Sequence, residues 1–160
     1  ARTARCCQGY QDTGYPMKPE DYLIQTHQRC QQLFQALQSH IAQQHWVPAQ
    51  QACHDFCAEL DSHFADEEQV LYPLYEQLSG QQQGPTEVMR YEHEQLRELM
   101  EALYQAVQQR DEAVCAPLAG VLQRQLWLHH SKEESILYPF CQFSTADLLA
   151  LSWPGVSAGG

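Results

Sequence analysis

Residues 63–73 read HFADEEQVLYP and residues 129–139 read HHSKEESILYP, so one helical motif occurs twice, 66 residues apart. Each copy places a histidine and a glutamate four residues apart, which is about one turn of an α-helix. The same offset relates further pairs along the chain: His27 and His93, Pro19 and Pro85, Ala36-Leu37 and Ala102-Leu103. The repeat therefore comprises two whole helical hairpins, each contributing two histidines and one glutamate.

The composition indicates a single helical domain and argues against binding to anionic partners. Gln, Leu, Glu and Ala are abundant, which favours helix over strand, and 160 residues suffice for one core. The formal net charge is −11, and the nine Lys and Arg residues form no cluster, which argues against nucleic acid and anionic membrane as partners. No run of 18 apolar residues occurs, and the first residues lack the apolar segment of a secretion signal. We expect a soluble, cytoplasmic, all-α protein.

The seven cysteines indicate reduced thiols rather than a disulfide framework, because their number is odd and they are scattered through a domain with its own core. Cys53 and Cys57 are one helical turn apart, a spacing at which two cysteines can both be zinc ligands. No CxxC pair follows them. We therefore interpret both as small apolar core residues.

Proline and glycine residues divide the chain into the two hairpins. We predict four helices: Pro19 to about Gln44, the segment around Pro48 to about Ser79, Pro85 to about Arg110, and the segment after Glu112 to about Phe140. Pro73 should kink or break the second helix. The helices would form an up-down-up-down antiparallel four-helix bundle over residues 17–143, with a pseudo-two-fold axis between the hairpins. An irregular arm at 1–16 precedes it, and a short fifth helix and tail at 144–160 follow.

Histidine interrupts the apolar stripe of every predicted helix. Apolar residues three or four positions apart mark the inward face of each helix, and on the second and fourth helices that face also carries a glutamate. The six polar residues at core positions are His27, His63, Glu67, His93, His129 and Glu133. In a bundle they would meet at one height in an otherwise apolar centre.

Metal binding would offset the cost of burying these six polar groups. A buried, unpaired carboxylate is costly or takes up a proton, whereas a cation satisfies all six groups together. Ordinary core histidines and helical His-Glu pairs would not explain six such residues at matched heights. Imidazoles with carboxylates suit iron, manganese or zinc better than calcium. Four nitrogens and two carboxylates able to bridge fit two metal ions.

The remaining histidines are predicted to lie outside this site. His40, His45 and His54 fall near turns or off the apolar stripes, so we expect surface positions for them. His130 is about 100° around the helix from His129, so we expect it at most to support a ligand residue.

The pattern of His27, His63-xxx-Glu67, His93 and His129-xxx-Glu133, with Glu-Glu and Leu-Tyr-Pro after each second histidine, resembles the hemerythrin-like HHE cation-binding family over residues 19–140. The resemblance implies a non-haem di-iron centre, with Fe2+ or Fe3+ ions bridged by the two glutamates and an oxo or hydroxo group. It also implies binding of, or reaction with, oxygen, peroxide or nitric oxide.

The chain departs from the oxygen-carrying members of that family at one ligand. Those members look to have a second histidine one turn from the helix-three ligand and an aspartate in the last motif. Here Met89 and Arg97 flank His93, and the last carboxylate is Glu133. The missing nitrogen leaves an open position or is replaced by water, a tyrosine or another carboxylate; the candidates are Glu68, Glu94, Glu134 and Tyr91. Because neither half has an extra histidine, the two metals should resemble each other.

Three functions compete at this point. The leading hypothesis is a di-iron protein that binds oxygen or a related small ligand. The first alternative is a di-iron enzyme that consumes peroxide. The second is a regulatory or iron-handling domain that senses iron or oxygen or donates iron for cluster repair, with Cys6 and Cys7 as further candidates. Oligomeric state does not follow from the sequence.

Overall fold

The computed structural model describes residues 18–141 and Asp147, and the described residues form helices without any strand. The helices are α1 (Pro19–Ala42), α2 (Trp46–Asp66), α3 (Tyr72–Ser79), α4 (Pro85–Gln108) and α5 (Glu112–Lys132). The all-helical prediction is confirmed, and its four helices are present, with the second divided into α2 and α3. The predicted arm at 1–16 lies outside the described residues, as does the predicted fifth helix and tail at 144–160 apart from Asp147.

Each copy of the motif contains a wide π-helical turn that ends two residues before its proline. The two turns are Glu67–Leu71 and Glu133–Leu137, and a short 3-10 turn, Tyr138–Phe140, follows the second. Proline has no N–H to donate, and its ring collides with the carbonyl four residues earlier, so the α-helical hydrogen bond at this position is lost and the turn before it widens. The break predicted at Pro73 therefore occurs in the preceding turn. Such turns are frequent at functional sites, and each of these begins at a glutamate of the predicted site.

The repeat extends to the turns that close both hairpins. Gln44 and Arg110, which are 66 residues apart, have φ angles of 55° and 57°, a left-handed conformation that ends a helix. The residue after each donates its backbone N–H to a carbonyl near the helix end, at 2.9 Å to His40 and 3.1 Å to Ala106. Equivalent backbone geometry at equivalent positions shows that the two hairpins are built alike.

Packing is closest within the hairpins, α1 against α2 and α4 against α5, while α2–α4 and α1–α5 contacts join the hairpins to each other. The apolar core has two parts. The larger part includes Phe34, Phe56, Leu60, Leu96, Leu103 and Leu122. The smaller part includes Leu23, Leu71, Tyr72, Met89, Leu137 and Tyr138. On α1, α4 and α5 the histidine of the predicted site falls between these two clusters, and on α2 His63 lies at the end of the larger part. The polar residues therefore form one layer within the apolar core.

Candidate metal centre

The structure brings all six predicted site residues together in the buried layer. None is more than 5% exposed: His27, His63, Glu67, His93, His129 and Glu133. Two groups each place one nitrogen or oxygen atom per residue within 4.8 Å of the others. The first group is His27, His63, His130 and Glu133, and the second is Glu67, His93, His129 and Glu133.

The histidines meet in two equivalent pairs. The Nε2 atoms of His27 and His63 are 2.8 Å apart, and those of His93 and His129 are 3.0 Å apart. In each pair one ring comes from the first helix of a hairpin and the other from its second helix. The pairs are related by the 66-residue offset, so the predicted symmetry of the repeat is present at the site itself.

The two glutamates face both pairs. Glu67 places Oε1 at 2.9 Å from Nε2 of His63 and Oε2 at 3.1 Å from Nε2 of His93. Glu133 places Oε1 at 3.2 Å from Nε2 of His129 and 3.6 Å from Nε2 of His27. That oxygen has no hydrogen-bond partner although it is fully buried. A carboxylate that faces two clusters of nitrogens is arranged as a bridging metal ligand is.

The pKa values of these two glutamates differ because two negative charges so close together are unfavourable. Burial and the negative charge of Glu67 raise the pKa of Glu133 to about 8. Burial opposes ionisation of Glu67 too, but the neighbouring charge of His63 and hydrogen bonds from Glu133 and His27 hold its pKa well below the ordinary value. Without a cation the buried pair therefore carries one proton, on Glu133, near neutral pH.

Outer carboxylates orient three of the four rings. The Nδ1 atoms of His27 and His93 lie 2.7 Å from Glu134 and Glu68, and Nδ1 of His129 lies 2.8 Å from Glu92. An ionised carboxylate only accepts hydrogen bonds, so Nδ1 carries the ring proton and, in a neutral imidazole, Nε2 has its lone pair directed into the site. Carboxylate partners of this kind are the usual companions of metal-ligating histidines.

Hydrogen bonds from the rings and from nearby cationic side chains keep two of these carboxylates ionised. Burial alone would raise the pKa of Glu68, but hydrogen bonds from Arg97 and His93 lower it. A hydrogen bond from His129 lowers the pKa of Glu92, helped by Lys132.

None of the four candidates for the missing nitrogen is placed to serve as its replacement. Glu68 and Glu134 bind Nδ1 atoms on the outer side of the rings. Tyr91 is 61% exposed, and Glu94 is exposed as well. The groups that do enter the centre are two tyrosines and a histidine, for which the sequence carried only weak signals.

Tyr72 and Tyr138 are the residues that sequence reasoning missed. The hydroxyl of Tyr72 lies 3.0 Å from Nε2 of His93, and that of Tyr138 lies 2.9 Å from Nε2 of His27. Both side chains are almost completely buried. The available signal was the Leu-Tyr-Pro sequence, which both copies of the repeat retain next to the π turn although the residues around it differ.

His130 occupies a more central position than expected. It is 9% exposed and stacks flat on His27, with ring centroids 3.5 Å apart and planes 9° apart. Its Nε2 atom is buried without a hydrogen-bond partner. Burial, together with the positive charges of His27 and His63, lowers its pKa well below the ordinary value, so the ring is neutral. The sequence predicts at most a supporting role for His130, and the structure places its ring in direct contact with the predicted ligand His27, because adjacent helices enclose this side of α5.

The centre opens to solvent on one side of the bundle. A cleft of about 620 Å³ between α1 and α5 reaches His27 and His130, and Gln31, Gly120 and Trp127 are among its walls. On the equivalent side, between α2 and α4, the Arg97 guanidinium lies 5.3 Å from the ring centre of Phe64 and donates to Glu68. The pocket there is smaller, about 290 Å³, and is not lined by any histidine or glutamate of the centre.

Other predicted polar positions stay away from the centre. His45 and His54 are exposed, and His40 is half-buried near its turn. Cys53 is buried and Cys57 half-buried, as expected for packing, and neither belongs to a potential metal-binding group within the described part of the chain.

The donor set fits a cation. Since Nδ1 of both His93 and His129 contacts a carboxylate, two bare lone pairs would face each other across 3.0 Å if both rings were neutral. A positive charge must lie between them. Burial lowers the pKa of His129, but the carboxylates of Glu133 and Glu92 outweigh it and raise the pKa to about 10. In the metal-free protein a proton supplies that charge; a metal ion would replace it.

Paired imidazoles with shared carboxylates in the core of a helical fold form a site that can hold a metal ion. The family model of the hemerythrin HHE cation-binding domain matches residues 18–141, and the chain belongs to this family. Comparisons with curated proteins and with solved structures give no match. Among the described helices, none combines the length and the apolar character needed to cross a membrane.

Proposed function

We propose that this protein is a non-haem di-iron protein that binds oxygen or a related small ligand, such as nitric oxide or peroxide. The observation that carries the proposal is the pair of facing Nε2 atoms in His93 and His129, whose outer nitrogens contact carboxylates. The repeat supplies a second pair, His27 and His63. Two such pairs with two shared carboxylates support two metal ions rather than one.

His27 and His63 would hold one ion, His93 and His129 the other, and Glu67 and Glu133 would contact both. Bound iron would supply open coordination positions and a change of oxidation state for a small ligand. The two apolar clusters on either side of the layer exclude water, which strengthens the electrostatic interactions inside. Tyr72 and Tyr138 hold protons beside the glutamates.

We also infer the up-down-up-down order of the four long helices. His27 lies against His63, and Phe34 lies against Phe56. Residues later in α1 therefore contact residues earlier in α2, which makes the two helices antiparallel. The repeat supports the same antiparallel arrangement for α4 and α5, where His93 lies against His129. Short connections between the helices of each hairpin fit this order.

A reducing compartment such as the cytoplasm suits this proposal. All five cysteines of the described residues are free thiols: Cys30, Cys53, Cys57, Cys115 and Cys141. Burial raises the pKa of Cys30 and Cys141 to about 12, which keeps them protonated and unreactive.

Anaerobic purification from iron-supplemented cells, followed by metal analysis, tests the proposal. We expect about two iron ions per chain, and visible absorption bands that change on adding oxygen, nitric oxide or hydrogen peroxide. The matched control is the double variant His63→Ala with His129→Ala, which should bind no iron. Less than about one metal per chain, or two zinc or manganese ions with no response to these ligands, would contradict the proposal.

The same preparation separates the competing functions. Reversible change of the spectrum on oxygenation and evacuation supports a binding protein. Sustained disappearance of hydrogen peroxide with turnover supports the peroxide-consuming enzyme. Iron that leaves readily for an apo-cluster protein supports iron handling, and a version lacking residues 1–16 then tests whether Cys6 and Cys7 take part.

A further inference from the structure

We propose that the cleft between α1 and α5 binds a small carboxylic acid with an apolar body, and that the guanidinium of Arg124 holds its carboxylate. This site goes beyond the proposed di-iron function and does not depend on it, because protein side chains alone form the cleft.

The cleft has the size and the lining of a small-molecule site. Its volume of about 620 Å³ falls within the range of roughly 300–1,000 Å³ that is usual for such sites. The apolar part of its wall consists of Ile24, Phe34, Leu126 and Trp127. Trp127 is 64% exposed, so its indole ring has surface left to cover an apolar ligand.

Arg124, in the same wall, is a cation without a partner. It forms neither an ion pair nor a hydrogen bond within the described residues. Four other cations of that part of the chain each pair with a carboxylate: Arg29, Arg90, Arg97 and Lys132. A guanidinium presents paired N–H donors that match the two oxygens of a carboxylate. Because Arg124 lies three residues before Trp127, a charged donor and an aromatic surface are neighbours on α5.

The one carboxylate of the wall, Glu134, is already engaged at the inner end of the cleft. Its Oε1 atom lies 2.7 Å from Nδ1 of His27. Arg124 is ten residues earlier in the chain, roughly 15 Å away along a helix, so the two charges do not neutralise each other. A ligand with its negative end at Arg124 and an uncharged, apolar end toward His27 therefore suits the charges of the cleft.

The spacing along α5 sets the length of the ligand. Arg124 and His130 are six residues apart, which corresponds to about 9 Å along the helix axis. That is about the length of 3-phenylpropionate. An acid of this size would reach from the guanidinium to the rings at the inner end of the cleft.

The repeat shows how the equivalent surface is closed in the other half. There Arg97 on α4 and Asp61 on α2 form an ion pair of 3.6 Å that connects the two helices. The residues 66 positions away are Gln31 and Trp127, which cannot form such a pair. The arginine on this side stands instead at position 124, where the other half has Ala58. The α1–α5 side thus combines an open cleft with an unpaired guanidinium.

Isothermal titration calorimetry at pH 7 with the purified full-length chain, with and without added iron, tests the site. We expect 3-phenylpropionate or octanoate to bind saturably with a dissociation constant of about 1 mM or below. Both 3-phenyl-1-propanol, which lacks the carboxylate, and acetate, which lacks the apolar body, should bind roughly tenfold or more weakly. In ¹⁵N-correlated spectra of the iron-free protein, the acid should shift the Gly120 amide and the Trp127 indole signals.

Arg124→Gln should weaken binding of the acid roughly tenfold or more. Arg110→Gln is the matched control, because Arg110 is exposed outside the cleft and Gln44 occupies its equivalent position in the other half. It should bind the acid like the wild type. The double variant Gln31→Arg with Trp127→Asp copies the ion pair of the other half and should abolish binding while the circular dichroism spectrum stays helical.

Failure of both acids to bind would overturn the site and leave the di-iron proposal intact. Equal binding of the alcohol, or an unchanged affinity in Arg124→Gln, would overturn the assignment of Arg124 as the carboxylate-binding residue. Binding that requires iron and is insensitive to both the single and the double variant would show that the acid binds the metal instead, which also overturns the site.

Discussion

Tyr138 donates a 2.8 Å hydrogen bond to Oε1 of Glu67, although Tyr138 directly follows the π turn after α5 and Glu67 begins the π turn after α2. Tyr72, its equivalent in the first hairpin, donates to Oε2 of Glu133 at 3.0 Å. Each hairpin thus binds the central glutamate of the other through a buried tyrosine. These crossed bonds join the halves of the repeat at the height of the proposed centre.

Replacing the Tyr138 hydroxyl should destabilise the metal-free protein. Tyr138→Phe removes the donor to Glu67 and keeps the ring, so the buried carboxylate loses a partner without the opening of a cavity. We expect the free energy of unfolding to fall by about 1–3 kcal/mol, measured by urea unfolding in the presence of a chelator. Tyr91→Phe is the control, because Tyr91 is 61% exposed and its replacement should change little. Equal stability of Tyr138→Phe and the wild type would contradict the importance of the crossed bonds.

Removing an outer carboxylate should weaken metal binding without removing a ligand. Glu134→Ala leaves Nδ1 of His27 without its partner at 2.7 Å, so the ring loses the contact that fixes its orientation. We expect metal affinity to fall roughly 10–100-fold in a competitive chelator titration. Glu94→Ala, at an exposed position on α4, is the control for loss of one negative charge. An equal effect of both variants would show that general charge, not ring orientation, is responsible.

Filling the cleft between α1 and α5 should slow the entry of ligands. Gly120 lies in its wall, and an added Cβ there would meet no atom within 4 Å, so a larger side chain can project into the space. Gly120→Phe should lower the association rate of nitric oxide with the iron-loaded protein, measured by stopped-flow absorption. Gly120→Ala, which raises helix propensity by about 1 kcal/mol without filling the cleft, should retain the wild-type rate. Identical rates for all three proteins would show that ligands enter elsewhere.

The stability of the metal-free protein should fall as pH rises. The folded pKa of His129 is about 10 against an ordinary 6.5, and that of Glu133 is about 8 against 4.5. Folding raises both pKa values. At any pH between the unfolded and the folded pKa of a group, the folded state therefore binds more protons than the unfolded state. The stabilisation is complete below the unfolded pKa, and it is lost from pH 4.5 to about 8 for Glu133 and from 6.5 to about 10 for His129.

Urea unfolding with chelator at intervals between about pH 6 and 10 checks this slope. Glu92→Gln should flatten the upper part, because Glu92 helps to raise the pKa of His129. Metal affinity should show the opposite trend and rise with pH over the same range, since a metal ion must displace those protons. A metal-free protein whose stability increases between pH 7 and 10 would contradict the assigned proton positions.

Most of the fold and six residues of the centre follow from local sequence rules. The helical period places His27, His63, His93 and His129 on inward faces, and the 66-residue offset brings them to matched heights. Pro73 predicts a helix break from its missing N–H alone. These inferences succeed because each depends on spacing along one helix, where the geometry is known in advance.

The sequence by itself determined a repeated pair of helical hairpins, the buried layer of histidines and glutamates, and membership of a cation-binding family. Tertiary structure decided what lies beside that layer. The positions of Tyr72 and Tyr138 depend on the π turns that precede them, and that of His130 on the helices that enclose α5. Those are properties of packing between helices, which residue spacing within one helix does not specify. The stacking of His130 on His27 and of Phe64 on His93 therefore emerged only once the two hairpins were brought together.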